Sequence, residues 1–106
     1  MEDCPFCKIV NKEISTEFVK ETENLVVFKD INPKAPVHLI IATKKHIKDI
    51  RETDDEIWKE VKGVALEIAK EKNIIGFRLV TNTSEATLVP HMHVHLLGDV
   101  SSTREL

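Results

Sequence analysis

Val89-Pro90-His91-Met92-His93-Val94-His95-Leu96-Leu97 alternates imidazole with apolar side chains until Gly98-Asp99 breaks the pattern. A repeat of two belongs to a strand, so the spacing predicts a strand over 89–97. His91, His93 and His95 lie on one face of it, and Met92, Val94 and Leu96 on the other. Neighbouring imidazoles then stand about 6.5–7 Å apart at Cα, close enough for all three to act on one ligand. Three readings of the row are open. It could be a solvated outer face, although such a face would more naturally mix Lys, Glu and Thr. It could be a metal site, since imidazole is the commonest metal ligand and H-x-H on a strand presents two. It could also be a catalytic site, because a neutral imidazole is a competent nucleophile near pH 7 when its other nitrogen is held as a donor.

Outward from this strand, Gly76 to Thr83 reads as its predecessor, and before that runs the one long helix, from about Asp54 to Lys72. Thr53, three residues ahead of Glu56, forms a capping-box signature at its start. At 100° per residue, Ile57, Trp58, Val61, Val64, Ala65, Ile68 and Ala69 fall in an arc of roughly 140°, with the charges opposite and Leu66 outside it. That arc is broader than one side of a small sheet needs, which predicts a homodimer with the Trp58 edge at the partner surface. Further upstream, Val37 to Thr43 reads as a buried strand, and the two prolines of Asp30–Pro36 require a loop. Glu17 to Glu21 and Asn24 to Lys29 read as a hairpin. One or two helical turns are expected over Cys7 to Ile14. The order of elements suits an α+β domain spanning 1–106, with a five-stranded antiparallel sheet and a helix on one face.

The 106 residues allow one core, and no apolar run approaches the roughly 20 residues of a membrane span. The amino-terminal residues lack the basic start and apolar stretch of a secretory signal, so a cytoplasmic location and no membrane partner are expected. A net charge of -3 gives no electrostatic footprint for polymeric nucleic acid, whereas a small anion held locally is compatible with it. Cys4 and Cys7 form a C-x-x-C pair, which in a reducing compartment points to metal binding or redox chemistry. A thioredoxin-like role fits poorly, because the pair is not preceded by a strand.

Taken together, Cys4-Pro5-Phe6-Cys7-Lys8-Ile9, the loop Phe28-Lys29-Asp30-Ile31-Asn32-Pro33-Lys34-Ala35-Pro36, the run Val37-His38-Leu39-Ile40-Ile41 leading to Lys44-Lys45-His46-Ile47, and H-x-H-x-H resemble the histidine-triad nucleotide-binding family. The similarity is to its small purine nucleoside phosphoramidase branch and covers roughly residues 4 to 98. It implies an antiparallel five-stranded sheet with one long helix, paired into a continuous sheet in a homodimer. It also implies that His93 is the nucleophile, forming a nucleotidyl-imidazole intermediate, with His95 bonding a phosphate oxygen or the leaving group and His38 supporting from the next strand. Asp30 would take the ribose hydroxyls. Pro5, Phe6, Ile9, Phe28 and Ile31 would wall a purine base, and Asn82 would lie near the phosphate. The resemblance further implies a structural zinc on Cys4, Cys7, His46 and His91, a donor set suited to a closed tetrahedral site, and no organic cofactor.

One stretch departs from that family's pattern. Asn82-Thr83-Ser84-Glu85-Ala86-Thr87-Leu88-Val89 has no glycine, and Thr87 and Leu88 stand where relatives carry a glutamine and a Ser or Thr. Thr87 can supply a hydroxyl there and Leu88 cannot. The expected function is hydrolysis of purine nucleoside phosphoramidates or related nucleotidyl substrates. The alternatives are nucleotide binding with little catalysis, or metal binding by His91, His93 and His95 together.

Overall fold

The computed structural model describes residues 4–104. A short helix α1 (Pro5–Val10) is followed by β1 (Lys20–Glu21), β2 (Leu25–Lys29), β3 (Val37–Thr43), the long helix α2 (Asp55–Glu71), β4 (Phe77–Val80) and β5 (His93–Gly98). The strands form one antiparallel sheet in the order β1-β2-β3-β5-β4. The α+β class, the five antiparallel strands and the single long helix are as expected.

Alternation in the two central strands divides the core. Leu39, Ile41, Met92, Val94 and Leu96 pack with Val61, Val64, Ala65 and Ile68 of α2 on one face. Ile40 and Ala42 join Val26, Phe28, Cys4 and Phe6 on the other. In the β3/β5 register His38 faces Leu97, Ile40 faces His95 and Ala42 faces His93. Directly opposed residues share a face, so His38, His93 and His95 emerge on the α1 side, away from α2.

Both helices end in the same way. Past α2, Asn73 has φ 55°, its N–H reaches Lys70 O, and the Ile74 N–H reaches Ala69 O at 2.8 Å. Past α1, Lys12 has φ 63°, with the matching pair to Ile9 O and Lys8 O. These are Schellman closures, and at α2 buried Ile74 supplies the apolar contact that accompanies the motif. At its start α2 is capped by Asp54, whose carboxylate accepts the Ile57 N–H at 2.8 Å. The expected cap, Thr53, closes the preceding single turn Ile50–Glu52 instead, donating its hydroxyl to Ile50 O.

Three strand limits differ from expectation. The first strand is only Lys20–Glu21, although Val19 N–H still reaches Val27 O. β4 stops at Val80 because the Thr81 hydroxyl, 2.9 Å away, takes the His93 carbonyl that would continue the ladder. β5 begins at His93, not Val89: Pro90 has no N–H, His91 N–H turns back to Val89 O, and Met92 N–H goes to Ile47 O. His91 therefore precedes the strand, but its ring stays on the α1 side, where it meets Phe6 edge-on with ring centres 5.8 Å apart. Among the described residues no helix is long and apolar enough to cross a membrane.

Candidate active site and metal centre

At one end of the α1 face four side chains converge. The Cys4 thiol caps α1 by accepting the Cys7 N–H, and Pro5 occupies the first helical turn where no amide donor is needed. His91 Nδ1 lies 3.2 Å from Cys4 Sγ and 3.5 Å from Cys7 Sγ, and His46 Nδ1 lies 3.2 Å from Cys7 Sγ. All four donor atoms fall within 4.8 Å of one another. Zinc bond lengths of about 2.3 Å to sulfur and 2.0–2.1 Å to nitrogen place tetrahedral ligands about 3.6 Å apart, so the set fits a zinc-sized cation. The ring chemistry agrees: His91 Nε2–H donates to Thr43 O at 2.7 Å, leaving Nδ1 as the lone pair aimed at the thiols. Without a cation, burial and the neighbouring Cys4 push the Cys7 thiol up to about 11.

Beside this corner the other three histidines are each held in one tautomer. His93 Nδ1 lies 2.6 Å from His91 O, a pure acceptor, so it carries the proton and Nε2 is left bare. Lys34 N–H donates to His38 Nδ1 at 2.9 Å, so the His38 proton sits on Nε2 and points at His95 Nδ1, also 2.9 Å away. His95 in turn carries its hydrogen on Nε2. Asp30 Oδ2 stands 3.3 Å from His38 Nε2 and 3.9 Å from His95 Nδ1, while its Oδ1 accepts the Asn32 N–H. Burial holds His93, His95 and His38 below the usual imidazole range, against the attraction of the Asp30 carboxylate. Phe6 meets His93 edge-on with ring centres 4.7 Å apart.

These tautomers bear on the metal alternative for the strand histidines. Among the described residues the ligand groups that converge are Cys4/Cys7/His46/His91 and Asp30/His38/His95; His91, His93 and His95 do not form one. In the second group His38 aims a hydrogen, not a lone pair, at the centre. That group is a hydrogen-bonded relay.

His93 and His95 open onto a cleft of about 570 Å³, within the usual range for a small-molecule site. Its lining includes Pro5, Phe6, Ile9, Phe28, Asp30, Ile31, Asn82 and Thr87, all the residues expected to meet a nucleotide. His38 lies behind His95. The Thr87 hydroxyl is engaged within its own turn, bonding both Val89 O and Val89 N. Ile14, Ser15, Thr16, Lys29, Ile40, Ala86, Leu88 and Val89 complete the wall and were not expected there. Of these, Ile40 was within reach of the alternation in 37–43, since it shares a face with His38.

Comparisons with known proteins identify the family. The family model described as "Scavenger mRNA decapping enzyme C-term binding" matches residues 3–105. Protein HitA of Neisseria gonorrhoeae is 38% identical over 104 residues, covering 92% of this chain and 97% of that one. The structure described as a HIT family hydrolase from Clostridium thermocellum superimposes with a TM-score of 0.91 at 36% identity, over 100% of this chain and 98% of that chain. The chain belongs to the histidine-triad (HIT) family. Two further relatives of this HIT protein have informative names. The "14 kDa zinc-binding protein" of Zea mays is 39% identical, over 92% of this chain and 84% of its own. The purine nucleoside phosphoramidase of Escherichia coli K12 is 32% identical, over 92% of this chain and 87% of its own.

Proposed function

We propose that this HIT protein is a nucleotide hydrolase that cleaves purine nucleoside phosphoramidates, or related nucleotidyl substrates, through a nucleotide carried on His93. The observation that carries the reading is the 2.6 Å contact from His93 Nδ1 to His91 O. It leaves a neutral ring with Nε2 free on the wall of the cleft. In the first step Nε2 bonds to phosphorus as the P–N bond breaks in a substrate already protonated on that nitrogen, so that a neutral amine departs and His93 carries the positive charge. Water then attacks phosphorus, releases one proton to solvent as the P–Nε2 bond breaks, and the nucleoside monophosphate leaves with His93 neutral again. The Nε2–H of His95 is the hydrogen-bond donor for a phosphoryl oxygen or the departing nitrogen. Asp30 receives the ribose hydroxyls, Pro5, Phe6, Ile9, Phe28 and Ile31 the base, and Asn82 and Thr87 lie toward the phosphate.

Zinc is the cation proposed for Cys4, Cys7, His46 and His91. The donor types and spacing support it, as does the name of the maize relative. Its work there is structural, because all four ligands come from the protein.

The test is intact mass after rapid quench with an activated adenosine phosphoramidate. A transient adduct mapping to His93, with turnover abolished and monophosphate binding retained in His93→Ala, is the expected result. Undiminished hydrolysis by His93→Ala would refute the mechanism. The second reading, nucleotide binding with little catalysis, draws on the loop before the triad, where the Thr87 hydroxyl is taken and Leu88 has none. Tight monophosphate binding without turnover would favour it.

A further inference from the structure

The wall of the cleft that includes Asn82, Ala86, Thr87 and Leu88 contains a strained backbone position. Ser84 opens the single turn Ser84–Ala86 with φ 47°, a conformation that glycine adopts freely and serine does not. The turn has no side-chain cap. Its own bonds are two, Ala86 N–H to Thr83 O and Thr87 N–H to Ser84 O. What reaches it from outside is Arg51, whose Nη2 donates to Ser84 Oγ at 2.8 Å.

Arg51 is itself fixed. Its Nε and Nη2 grip the two oxygens of Asp49 at 3.0 and 2.6 Å, and its backbone N–H donates to Asp49 Oδ1. Asp49 is 2% exposed, so the guanidinium is anchored at its base while its outer edge reaches the loop. Arg51 also holds the Asp49 carboxyl down to about 2, keeping the pair ionised at any assay pH. The far end of the same loop returns to the same segment, where Met92 N–H donates to Ile47 O at 2.6 Å. The stretch 84–92 is thus tied at both ends to residues 47–51.

We propose that Arg51, anchored on Asp49, is a positioning residue for the reaction: it straps Ser84 so that a glycine-free loop holds its wall of the cleft against His93 and His95. The inference rests on the proposed hydrolase activity but can be read without it. Because the base and ribose are assigned to Pro5, Phe6, Ile9, Phe28, Ile31 and Asp30 while the strapped loop lies toward the phosphate, losing the strap should lower kcat and leave affinity for the nucleoside alone unchanged.

Arg51→Ala should reduce kcat for an adenosine phosphoramidate by about tenfold to a hundredfold, with the Kd for adenosine unchanged. Ser84→Ala breaks only the outer link and spares the Asp49 pair, and it should do the same. Amide hydrogen exchange at Ala86 and Thr87 should rise in both variants while α2 and β5 stay protected. Ser84→Gly relieves the φ constraint, so combined with Arg51→Ala it should recover most of the lost kcat, a non-additive pair. Unchanged kcat and unchanged exchange at 86–87 would overturn the proposal. So would exchange that rises evenly over the whole chain, or a double variant no better than Arg51→Ala. If the wild-type protein shows no turnover, the hydrolase reading fails, and exchange at Ala86 and Thr87 alone decides the strap.

Discussion

His93 has one ring nitrogen bonded to the main chain and the other facing the cleft, and burial keeps its proton affinity low. Burial lowers the proton affinity of His95 and His38 as well, outweighing the Asp30 carboxylate. The proposed nucleophile must be neutral to react, so a depressed value moves the loss of activity to lower pH. The acid limb of kcat/KM should therefore lie below pH 6.5, the ordinary imidazole value, and a pH–rate profile from 5 to 8 checks it. Asp30→Asn would remove the charge that favours imidazolium, so it should move that limb further toward acid. At this scale the period of two between His91 and His95 made the histidine row legible. Their tautomers were not, because they are set by the His91 carbonyl and the Lys34 amide, groups every residue has.

The helix α2 is held at three kinds of point: its buried stripe, its two ends, and a clamp on its flank. Glu60 supplies the clamp, accepting from the Thr22 hydroxyl, Asn24 N–H and Asn24 Nδ2 in the β1/β2 turn. Burial works against its charge, and those three donors more than compensate, holding the carboxyl below its usual range. Glu60→Ala strands them, so a loss of about 1–3 kcal/mol is expected in chemical denaturation. Asp54→Ala should cost about 1 kcal/mol through the lost cap, whereas Thr53→Ala leaves that cap in place. The helix and its stripe were readable from spacing at 100°, since a buried face dictates its own composition. Its first residue was harder to place: Thr53 and Asp54 are both good caps, and the turn Ile50–Glu52, invisible in the pattern, uses the threonine. The strand containing the triad looked longer than it is because alternation continues through Pro90, where hydrogen bonding cannot.

At the scale of the whole molecule, buried neutral histidines and the cysteine cluster both link stability to solution conditions. Imidazoles held below 6.5 in the folded chain titrate near 6.5 when unfolded. Their stabilising effect is complete above that value and is lost as pH falls through it, because the unfolded chain then binds more protons. Melting temperature should be flat from pH 8 to 7 and decline toward pH 5. Zinc at about a hundred times its Kd adds about 2.7 kcal/mol, so stripping it with a strong chelator should lower the melting temperature by roughly 10–20 °C. A melting temperature unmoved by chelation would mean the cluster holds no cation. Trp58 and Leu66 on α2 and Leu79 on the edge strand β4 are exposed at 40%, 52% and 40%, which supports the proposed homodimer. Sedimentation showing a concentration-independent monomer at micromolar protein would exclude it. Antiparallel pairing and fold class followed from the short strands and their order. The exchange of β4 and β5 across the sheet did not, since a swap of neighbours leaves no mark on local composition.

The atom that orients the proposed nucleophile belongs to His91, yet it is a backbone oxygen. No substitution of the His91 side chain deletes it. The side chain at that position is thereby released from the reaction and available for another duty, which here is to face the cysteines. On the proposed reading one residue thus carries two independently editable functions, a tether encoded by chain path and a ligand encoded by identity. An engineer could change the proposed metal preference at position 91 without redesigning the proposed catalysis, provided the bend at Pro90 is kept.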